Sequence, residues 1–470
     1  MRTIVLAGLL IACGGGGTAP APRPPAAPAT LAPPPKPMVP GAPATQAKPA
    51  FPGAPATPTG DQLAWVLDAI VRRHGTLGRA ELEAHFHPSF LAQVPIDQAL
   101  AIFEQLGHKL TDLVVDDVQA DGERLVARVT ADKTKLRISL TLDPASQQIS
   151  GLLVQRDLDT GPRPQSFEDA LRAVAALAPK AQLLVATLDH GTCKPVQALA
   201  ASDQLAIGST FKLYILLALA DRILAGKAAW SDELAVRDDW KSLPSGITQN
   251  EPPGTKHSLA TLAERMISIS DNTAADHLLY TIGRKAVEAA VRATRHARPA
   301  LDTPFLSTRE LFLMKLGPAA ELERYLKLPE ARRRDHLDKT LAGKAPSIDI
   351  AGAWKTARRI DQLEWFASSD DLCRVMATLW TRAQAPRAAP LLDVLAKNPG
   401  LPIDTKVWPY VGFKGGSEPG VVNMTYLLRR DDNQWFVITL GFNAAEGGTL
   451  DEAKIFHLAA GVIELVGKAR

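Results

Sequence analysis

The chain lacks both an excess of charge of one sign and any long apolar run. Its 53 lysines and arginines are balanced by 50 aspartates and glutamates, which leaves a net charge of +3 without a long basic block. This balance argues against a nucleic-acid partner, because binding to phosphates needs a concentrated basic surface. No segment approaches the roughly 20 uninterrupted apolar residues that a membrane-spanning helix needs. With 46% hydrophobic residues in a chain of 470, we expect a globular protein of two or three domains.

Cysteine is scarce, with three residues in the whole chain. Cys13 follows Arg2 and the apolar run from Ile4 to Ala12, and the sequence Leu-Ile-Ala-Cys resembles a bacterial lipoprotein signal. We therefore predict that residues 1–12 are a signal peptide and that Cys13 becomes the lipidated N-terminus. The alternative is an ordinary secretory signal with an incidental cysteine. Either signal predicts export, and the first predicts a lipoprotein anchored at the cell envelope, on its periplasmic face or at the cell surface.

The other two cysteines, Cys193 and Cys373, allow one disulfide in an exported protein. The sequence predicts that Cys193 lies near a hairpin turn and Cys373 in a helix. It does not show whether they approach each other, so a bridge and two free thiols both stay open.

Acidic residues are absent from Gly14 to Gly60, a segment that holds 15 of the 36 prolines. Such a composition cannot bury enough apolar surface to fold, so we predict an extended linker over residues 13–60. Residues 61–160 then show helical apolar spacing followed by four strand-like runs. This pattern predicts an α+β cone, similar to nuclear-transport-factor-2-like (NTF2-like) and steroid-isomerase-like domains. His85 and His87 have no evident third ligand, so we predict no metal site there.

A Gly/Pro break at 161–165 precedes a second domain, predicted over residues 166–470. A hairpin is predicted from Gln182 to Ala200, a largely helical stretch extends to about Ala383, and three strands and a helix follow. The strands therefore come from both ends of this domain, with helices inserted between them. This order predicts an antiparallel sheet with a helical lobe.

Three short motifs in this second domain carry candidate chemistry. Ser209–Lys212 is the only Ser-x-x-Lys in the chain, and its spacing places the lysine amine beside the serine hydroxyl on one helix face. Ser-Asp-Asn at 270–272 lies 61 residues downstream of Ser209, and Lys-Gly-Gly-Ser at 414–417 follows. Each motif has an ordinary alternative: a chance match, a helix cap, or glycines of a hairpin. Together and in this order they are what a penicillin-recognising serine enzyme requires.

The motifs and the strand order resemble the serine β-lactamase and penicillin-binding-protein superfamily, class A-like, over residues 166–470. The resemblance implies that Ser209 is the nucleophile, Lys212 its base, Ser270 a proton relay and Lys414 an electrostatic partner. It also implies a structural Asp271 and no metal or cofactor. Residues implied on the substrate side are Asn272, Gly415, Gly416 and Ser417, with the N–H groups of Ser209 and Ser417 as the oxyanion hole.

The sequence departs from class A β-lactamases at the step that releases the acyl group. The Glu-x-x-Leu-Asn segment is missing, and Glu310 is the one nearby candidate, with a helix N-terminal carboxylate as its alternative role. The third motif is Lys-Gly-Gly rather than Lys-Thr-Gly, and no arginine lies between Glu418 and Leu428. Efficient penicillin hydrolysis is therefore in doubt.

These departures occur together with Glu-Trp-Phe-Ala at 364–367, Asp-Asp-Leu-Cys at 370–373 and the additional N-terminal domain. The combination resembles the group around the β-lactamase-like protein of clavulanic acid biosynthesis, whose type member is similar to an esterase with little lactamase activity. We expect a serine hydrolase that acylates Ser209 with a small ester, amide or β-lactam. A penicillin-binding sensor or cell-wall-binding module that is acylated without turnover is the alternative, and a D,D-peptidase is a further one.

Overall fold

The computed structural model describes residues 51–469 except 92–93, 95, 111, 132–133, 158–161, 244, 343 and 345–353. The described residues fall into two compact units, divided after Asp157. The predicted signal peptide, Cys13 and most of the predicted linker lie outside the described residues.

The N-terminal unit consists of helices followed by an antiparallel meander, as the sequence predicts. Its helices are α1 (Pro58–Val71), α2 (Arg79–His85), α3 (Pro88–Leu91) and α4 (Ile96–Lys109), and its strands, in the sheet order β1-β2-β3-β4, are β1 (Leu113–Asp121), β2 (Arg124–Ala131), β3 (Thr134–Leu142) and β4 (Ile149–Arg156). Leu63, Leu67 and Ile70 recur at helical spacing along α1 and are fully buried in a core shared with the sheet. The α+β class predicted for this part of the chain is confirmed.

The predicted linker is too long at its C-terminal end. Phe51 is 8% exposed and belongs to the core of the N-terminal unit. Helix α1 begins at Pro58, and Thr57 caps it by accepting a hydrogen bond from the N–H of Gly60 at 3.1 Å. Proline suits the first turn of a helix, where its missing N–H is not needed. Because proline is also typical of linkers, its presence led us to assign the first residues of α1 to the linker.

The C-terminal unit joins an antiparallel sheet to a helical lobe. Its helices are α5 (Phe167–Leu177), α6 (Lys212–Leu224), α7 (Leu259–Ser268), α8 (Asn272–Ile282), α9 (Arg284–Ala293), α10 (Thr308–Leu316), α11 (Ala319–Leu326), α12 (Glu330–Asp335), α13 (Ser369–Ala383), α14 (Pro390–Ala396) and α15 (Glu452–Lys468). Its strands are β5 (Lys180–Asp189), β6 (Thr192–Leu199), β7 (Leu205–Ala206), β8 (Glu233–Ala235), β9 (Lys256–Ser258), β10 (Phe366–Ala367), β11 (Tyr410–Glu418), β12 (Val421–Arg429) and β13 (Trp435–Asn443).

The main sheet of this unit has the order β11-β12-β13-β5-β6. Strands from the beginning and the end of the domain therefore pair directly, through β13 and β5. Successive residues of β5 face opposite layers: Leu183 and Val185 pack toward α5 and α15, whereas Leu184 and Ala186 pack toward the helical lobe. A strand covered on both faces reads as a continuous apolar run, and the sequence of β5 shows one. The predicted sheet with strands from both ends is confirmed.

A disulfide joins Cys193 on β6 to Cys373 on α13, residues that are 180 positions apart. The two residues lie where the sequence places them, near the hairpin and in a helix. The sequence left the pairing open, and the structure resolves it as a bridge between the outer strand of the sheet and a helix of the lobe.

Candidate active site

Ser209 lies in a tight turn between a short strand and a central helix. The turn spans Gly208–Phe211, and Gly208 adopts a φ of +48°, a left-handed conformation that favours glycine. Helix α6 follows from Lys212, and nearly all of its side chains up to Ala220 are buried. A helix that is apolar on every side belongs in the centre of a fold. The turn therefore presents Ser209 from a rigid, buried support.

The amine of Lys212 is the centre of the hydrogen-bond network. Its Nζ donates to Ser209 Oγ at 3.1 Å and to Asn272 Oδ1 at 2.6 Å. It also contacts Ser270 twice, at the backbone oxygen at 2.7 Å and at Oγ at 3.1 Å. The first and second sequence motifs thus meet at one fully buried nitrogen.

Burial lowers the pKa of Lys212 to about 7, although Asp271 and Asp276 oppose the shift by favouring the charged form. A free lysine titrates near 10.4, so at neutral pH it would be almost wholly protonated. The shift gives Lys212 a substantial neutral fraction at neutral pH. A neutral amine 3.1 Å from Ser209 Oγ can accept the serine proton.

Ser270 is held between the two lysines of the site. Its backbone has a φ of +57°, and its carbonyl oxygen accepts hydrogen bonds from Lys212 and, at 2.6 Å, from Ser245 Oγ. Lys414 Nζ lies 3.1 Å from Ser270 Oγ, the same distance as Lys212 Nζ. Two donors at this oxygen leave its own hydroxyl proton available for another acceptor, such as a leaving group.

The pKa of Lys414 is held well below its usual value, first by burial and then by the charge of Lys212. A nearby positive charge disfavours protonation of a second amine. Burial, however, is the larger cause for both.

Asp271 and Asn272 anchor the loop that carries Ser270. Asp271 caps α8 by accepting from Ala274 N at 2.8 Å, and its other oxygen accepts from the N–H groups of Ile247 and Thr248. Asn272 Nδ2 donates to the Leu243 oxygen at 3.0 Å. The structural role expected for Asp271 is confirmed, and the Ser-Asp-Asn segment caps a helix while it also supplies side chains to the site.

Strand β11 forms the edge of the sheet and lies against the Ser209 turn at Gly416. A Cβ added to Gly416 would meet Ile207 O at 2.0 Å and Ser209 N at 2.7 Å, both of them backbone atoms. On the reverse side of this contact, a Cβ on Gly208 would lie 3.1 Å from Ser417 N. The N–H groups expected to form the oxyanion hole therefore belong to two segments in close contact.

The two glycines of the third motif have different surroundings. Gly416 faces the Ser209 turn, where no side chain fits. A Cβ on Gly415 would meet only the outer end of the Phe413 ring within 3 Å, at 2.8 Å. The resemblance implies that both glycines keep side chains away from the substrate, and this stays a prediction. In the structure, Gly416 also allows the strand to approach the Ser209 turn.

Glu310 is engaged in structural contacts. It occupies the third position of α10 and forms a capping box with Ser307. Its carboxylate also accepts two hydrogen bonds from Arg284, at 2.6 and 3.0 Å, and the residue is 5% exposed. Among the described residues, the hydrogen-bond partners of Lys212 are Ser209, Ser270 and Asn272, so Glu310 is not one of them. Glu310 thus takes its alternative role as a helix N-terminal carboxylate.

Sequence reasoning missed Asp276, which ties the first turn of α10 to α8, the helix of the second motif. Its two oxygens accept from Thr308 N at 2.8 Å and Arg309 N at 2.9 Å, and burial raises its pKa to about 7. Its only signal in the sequence is a carboxylate one turn into the helix that follows Ser-Asp-Asn.

In the described part of the chain, no group of three or more His, Cys, Asp or Glu residues is arranged to hold a metal ion. No helix in the part of the chain that the structure describes is long and apolar enough to cross a membrane.

Two protein families match the chain, one for each unit. The family described as ORF 12 gene product N-terminal matches residues 54–147, and the Beta-lactamase enzyme family matches residues 166–455. The second match covers more than half of the chain. The chain belongs to the beta-lactamase enzyme family. A beta-lactamase domain after an ORF 12 N-terminal domain is also the arrangement of the β-lactamase-like protein of clavulanic acid biosynthesis, so the resemblance drawn from the motifs is confirmed.

Solved structures are similar to about two thirds of the chain at low sequence identity. A β-lactamase from Sphaerobacter thermophilus is 18% identical, with 63% of this chain and 94% of that one covered and a TM-score of 0.43. One from Chitinophaga pinensis is 14% identical, with coverages of 64% and 98% and a TM-score of 0.43. A PBP-A variant solved as an acyl-enzyme with penicillin G is 16% identical, with coverages of 64% and 96% and a TM-score of 0.42. Comparison with curated proteins gave no match.

Proposed function

We propose that this beta-lactamase family member is a serine hydrolase that forms an acyl-enzyme on Ser209. The observation that carries the proposal is Lys212 Nζ, which lies 3.1 Å from the hydroxyls of both Ser209 and Ser270 and has a pKa of about 7. Its substrates are small esters or amides, with β-lactams as a class that acylates readily and is released slowly.

In the first step Lys212 takes the proton of Ser209, and Oγ forms a bond to the substrate carbonyl carbon. The negative charge that develops on the carbonyl oxygen is stabilised by the N–H groups of Ser209 and Ser417, and losing such a donor costs about 2.7 to 4 kcal/mol. The bond from carbon to the leaving group then breaks. Ser270 donates its proton to that group and recovers one from Lys212, 3.1 Å away. Lys414 stabilises the negative charge on Ser270 while the proton moves.

Reaction of the full chain with a panel of p-nitrophenyl esters and with penicillin G tests this function. We expect ester cleavage that is lost in Ser209→Ala, and an intact-mass increase of one penicillin on the wild-type chain alone. A Ser209→Ala variant that cleaves the esters at the wild-type rate would refute the proposal.

A second candidate function is a penicillin-binding sensor that is acylated without turnover. It is favoured by the engagement of Glu310 with Arg284 and Ser307, which leaves this carboxylate poorly placed to activate a water. The decay of the penicillin adduct separates the candidates: loss within seconds or minutes supports the hydrolase, and persistence for hours supports the sensor.

The Glu310→Gln variant tests whether this side chain takes part in release of the acyl group. We expect an unchanged adduct lifetime and a free energy of unfolding lower by about 1 to 3 kcal/mol, because the buried Arg284 loses the negative charge of its partner. Mass spectrometry and urea denaturation measure the two quantities. An adduct that lives 100-fold longer would instead identify Glu310 as the water activator.

A further inference from the structure

Three ionisable residues form a buried group next to the end of β11, the strand that carries the third motif. Lys315 Nζ donates to Glu364 Oε1 and to Glu418 Oε1, and the side chains are 0%, 0% and 8% exposed, respectively. We call these three residues the buried triad. The carboxylates lie 49 and 103 positions from Lys315 in the sequence, so no local pattern predicts the contact.

The first arm of the triad reaches the strand that carries the third motif. Glu418 is the last residue of β11 and directly follows Ser417. It pairs with Val421 at the hairpin end, where the strand has no further ladder to hold it. Lys315 therefore fixes the hairpin end of the strand at the position next to the proposed oxyanion donor.

The second arm reaches the support of the Ser209 turn. Glu364 precedes Trp365, whose backbone oxygen accepts a hydrogen bond from Ile207 N at 3.0 Å. The Trp365 ring stacks on Phe211 with centroids 3.7 Å apart. Ile207 and Phe211 flank Ser209 on either side in the sequence.

Lys315 itself belongs to α10, a helix that is tied to both arms and to the second motif. Trp365 Nε1 donates to the Leu306 oxygen at 3.1 Å, just before α10 begins. At the start of α10, Thr308 N donates to Asp276 of α8 at 2.8 Å. One ammonium group thus links the three segments that carry or support the three motifs.

Stability alone does not account for this arrangement. Burying an ion pair commonly contributes little net stability compared with apolar residues of the same volume, because desolvation offsets the attraction. Here two carboxyl groups share one ammonium. Burial, and then the neighbouring Glu364, raise the pKa of Glu418 well above its usual value.

We propose that Lys315 is a positioning residue of the acylation site, which holds the end of β11 in register with the Ser209 turn through Glu418 and Glu364. The inference rests on the proposed function for its catalytic consequence. Its structural consequence, a fixed spacing between Gly416 and Ser209, is measurable without any reaction.

Hydrogen–deuterium exchange on the full chain tests the structural part. In Lys315→Met we expect amides in residues 205–212 and 414–421 to exchange at least tenfold faster than in the wild type. Glu418→Gln retains an acceptor for Lys315 and should exchange as the wild type does. Exchange at these two segments that is unchanged in Lys315→Met overturns the inference, whatever the catalytic activity.

Arg430→Met is the matched control. Arg430 is 7% exposed, donates to Asp432 at 2.6 Å and to the Val466 oxygen at 3.0 Å, and follows β12 at the end of the strand pair opposite to Glu418. Arg430→Met should speed amide exchange only near the end of β12 that Arg430 follows. If Lys315→Met does not fold, the variant with Glu364→Gln and Glu418→Gln added contains no unpaired buried charge, and the same acceleration is expected from it.

Ester kinetics test the catalytic part. We expect Lys315→Met to lower kcat at least 30-fold with KM changed less than threefold, and Glu418→Gln to stay within threefold of the wild type in both. A fall of the same size in Arg430→Met would mean general destabilisation and would overturn a specific role. If the wild type has no Ser209-dependent activity, the proposed function fails. The exchange experiment still decides whether Lys315 holds β11 against the Ser209 turn.

Discussion

Lys212 is the residue on which the proposed chemistry depends, because its amine donates hydrogen bonds to the nucleophile, the relay serine and the asparagine of the second motif. The sequence predicted its role from spacing, since residues three apart share a helix face. It could not predict the depth of burial that lowers the pKa, because burial depends on which helices surround α6.

The rate of acylation should rise with pH through about 7. The folded-state pKa of Lys212 is lowered to about 7, so the amine is protonated below this pH and neutral above it, and only the neutral form accepts the Ser209 proton. Single-turnover acylation measured between pH 5 and 9 with a reporter ester checks this. Lys212→Arg stays protonated throughout and should be inactive at every pH. A wild-type rate that is flat from pH 6 to 8 would contradict the assignment.

Gly416 is the second residue with a sharp consequence. Gly416→Ala should lower the acylation rate at least 100-fold, because its Cβ would lie 2.7 Å from Ser209 N and 2.0 Å from Ile207 O. Displacing a backbone by about 1 Å costs this much in a preorganised site. Gly415→Ala is the paired control, since its nearest neighbour is the end of the Phe413 side chain. Comparable losses in both variants would show that the contact at Gly416 has no special role.

At the scale of elements, the sequence predicted the strands and helices that frame the site. The apolar run indicates a strand from Val407 to Phe413, and the resemblance extends an edge strand over Gly415 and Gly416. In the structure, β11 continues to Glu418, because Lys414 to Ser417 pair in register with Val422 to Thr425 of β12. Pairing with a neighbouring strand overrides the low strand propensity of glycine. The buried triad could not be predicted from the sequence either, because its members come from three separate segments that only the fold brings together.

The disulfide between β6 and α13 should stabilise the C-terminal unit. For a loop of 180 residues, the loss of chain entropy in the unfolded state corresponds to at most about 5 kcal/mol. We expect the double variant Cys193→Ser, Cys373→Ser to unfold at lower urea concentration, with ester cleavage retained while it is folded. Cys13→Ser, which leaves the bridge intact, is the control for thiol replacement. An unchanged denaturation midpoint in the double variant would show that the bridge adds nothing.

At the scale of the whole molecule, all of the proposed catalytic residues belong to the C-terminal unit, and the ORF 12 N-terminal family matches only the other unit. We propose that the chain is exported and attached to a membrane by lipid at Cys13. The signal-like residues before Cys13 support this proposal, and so does the disulfide, because such bridges persist in oxidising compartments.

Lipidation is tested in bacterial cells expressing the full chain. Growth with radiolabelled palmitate should label the wild-type protein, which should sediment with membranes. Cys13→Ser should lose both the label and the sedimentation, while Cys193→Ser retains them. A wild-type chain that carries no label and stays in the soluble fraction would rule out the anchor.

The pairing of β13 with β5 also sets the order in which the site can be assembled during synthesis. The ribosome completes Ser209 and Ser270 early, but Lys414 follows Ser270 by 144 residues. The sheet that positions Lys414 needs β13 as well, so a chain interrupted before that strand carries a serine without its full set of partners. If the chain is exported unfolded, as the proposed signal peptide implies, Ser209 would therefore become reactive only after the last strands have crossed the membrane and folded.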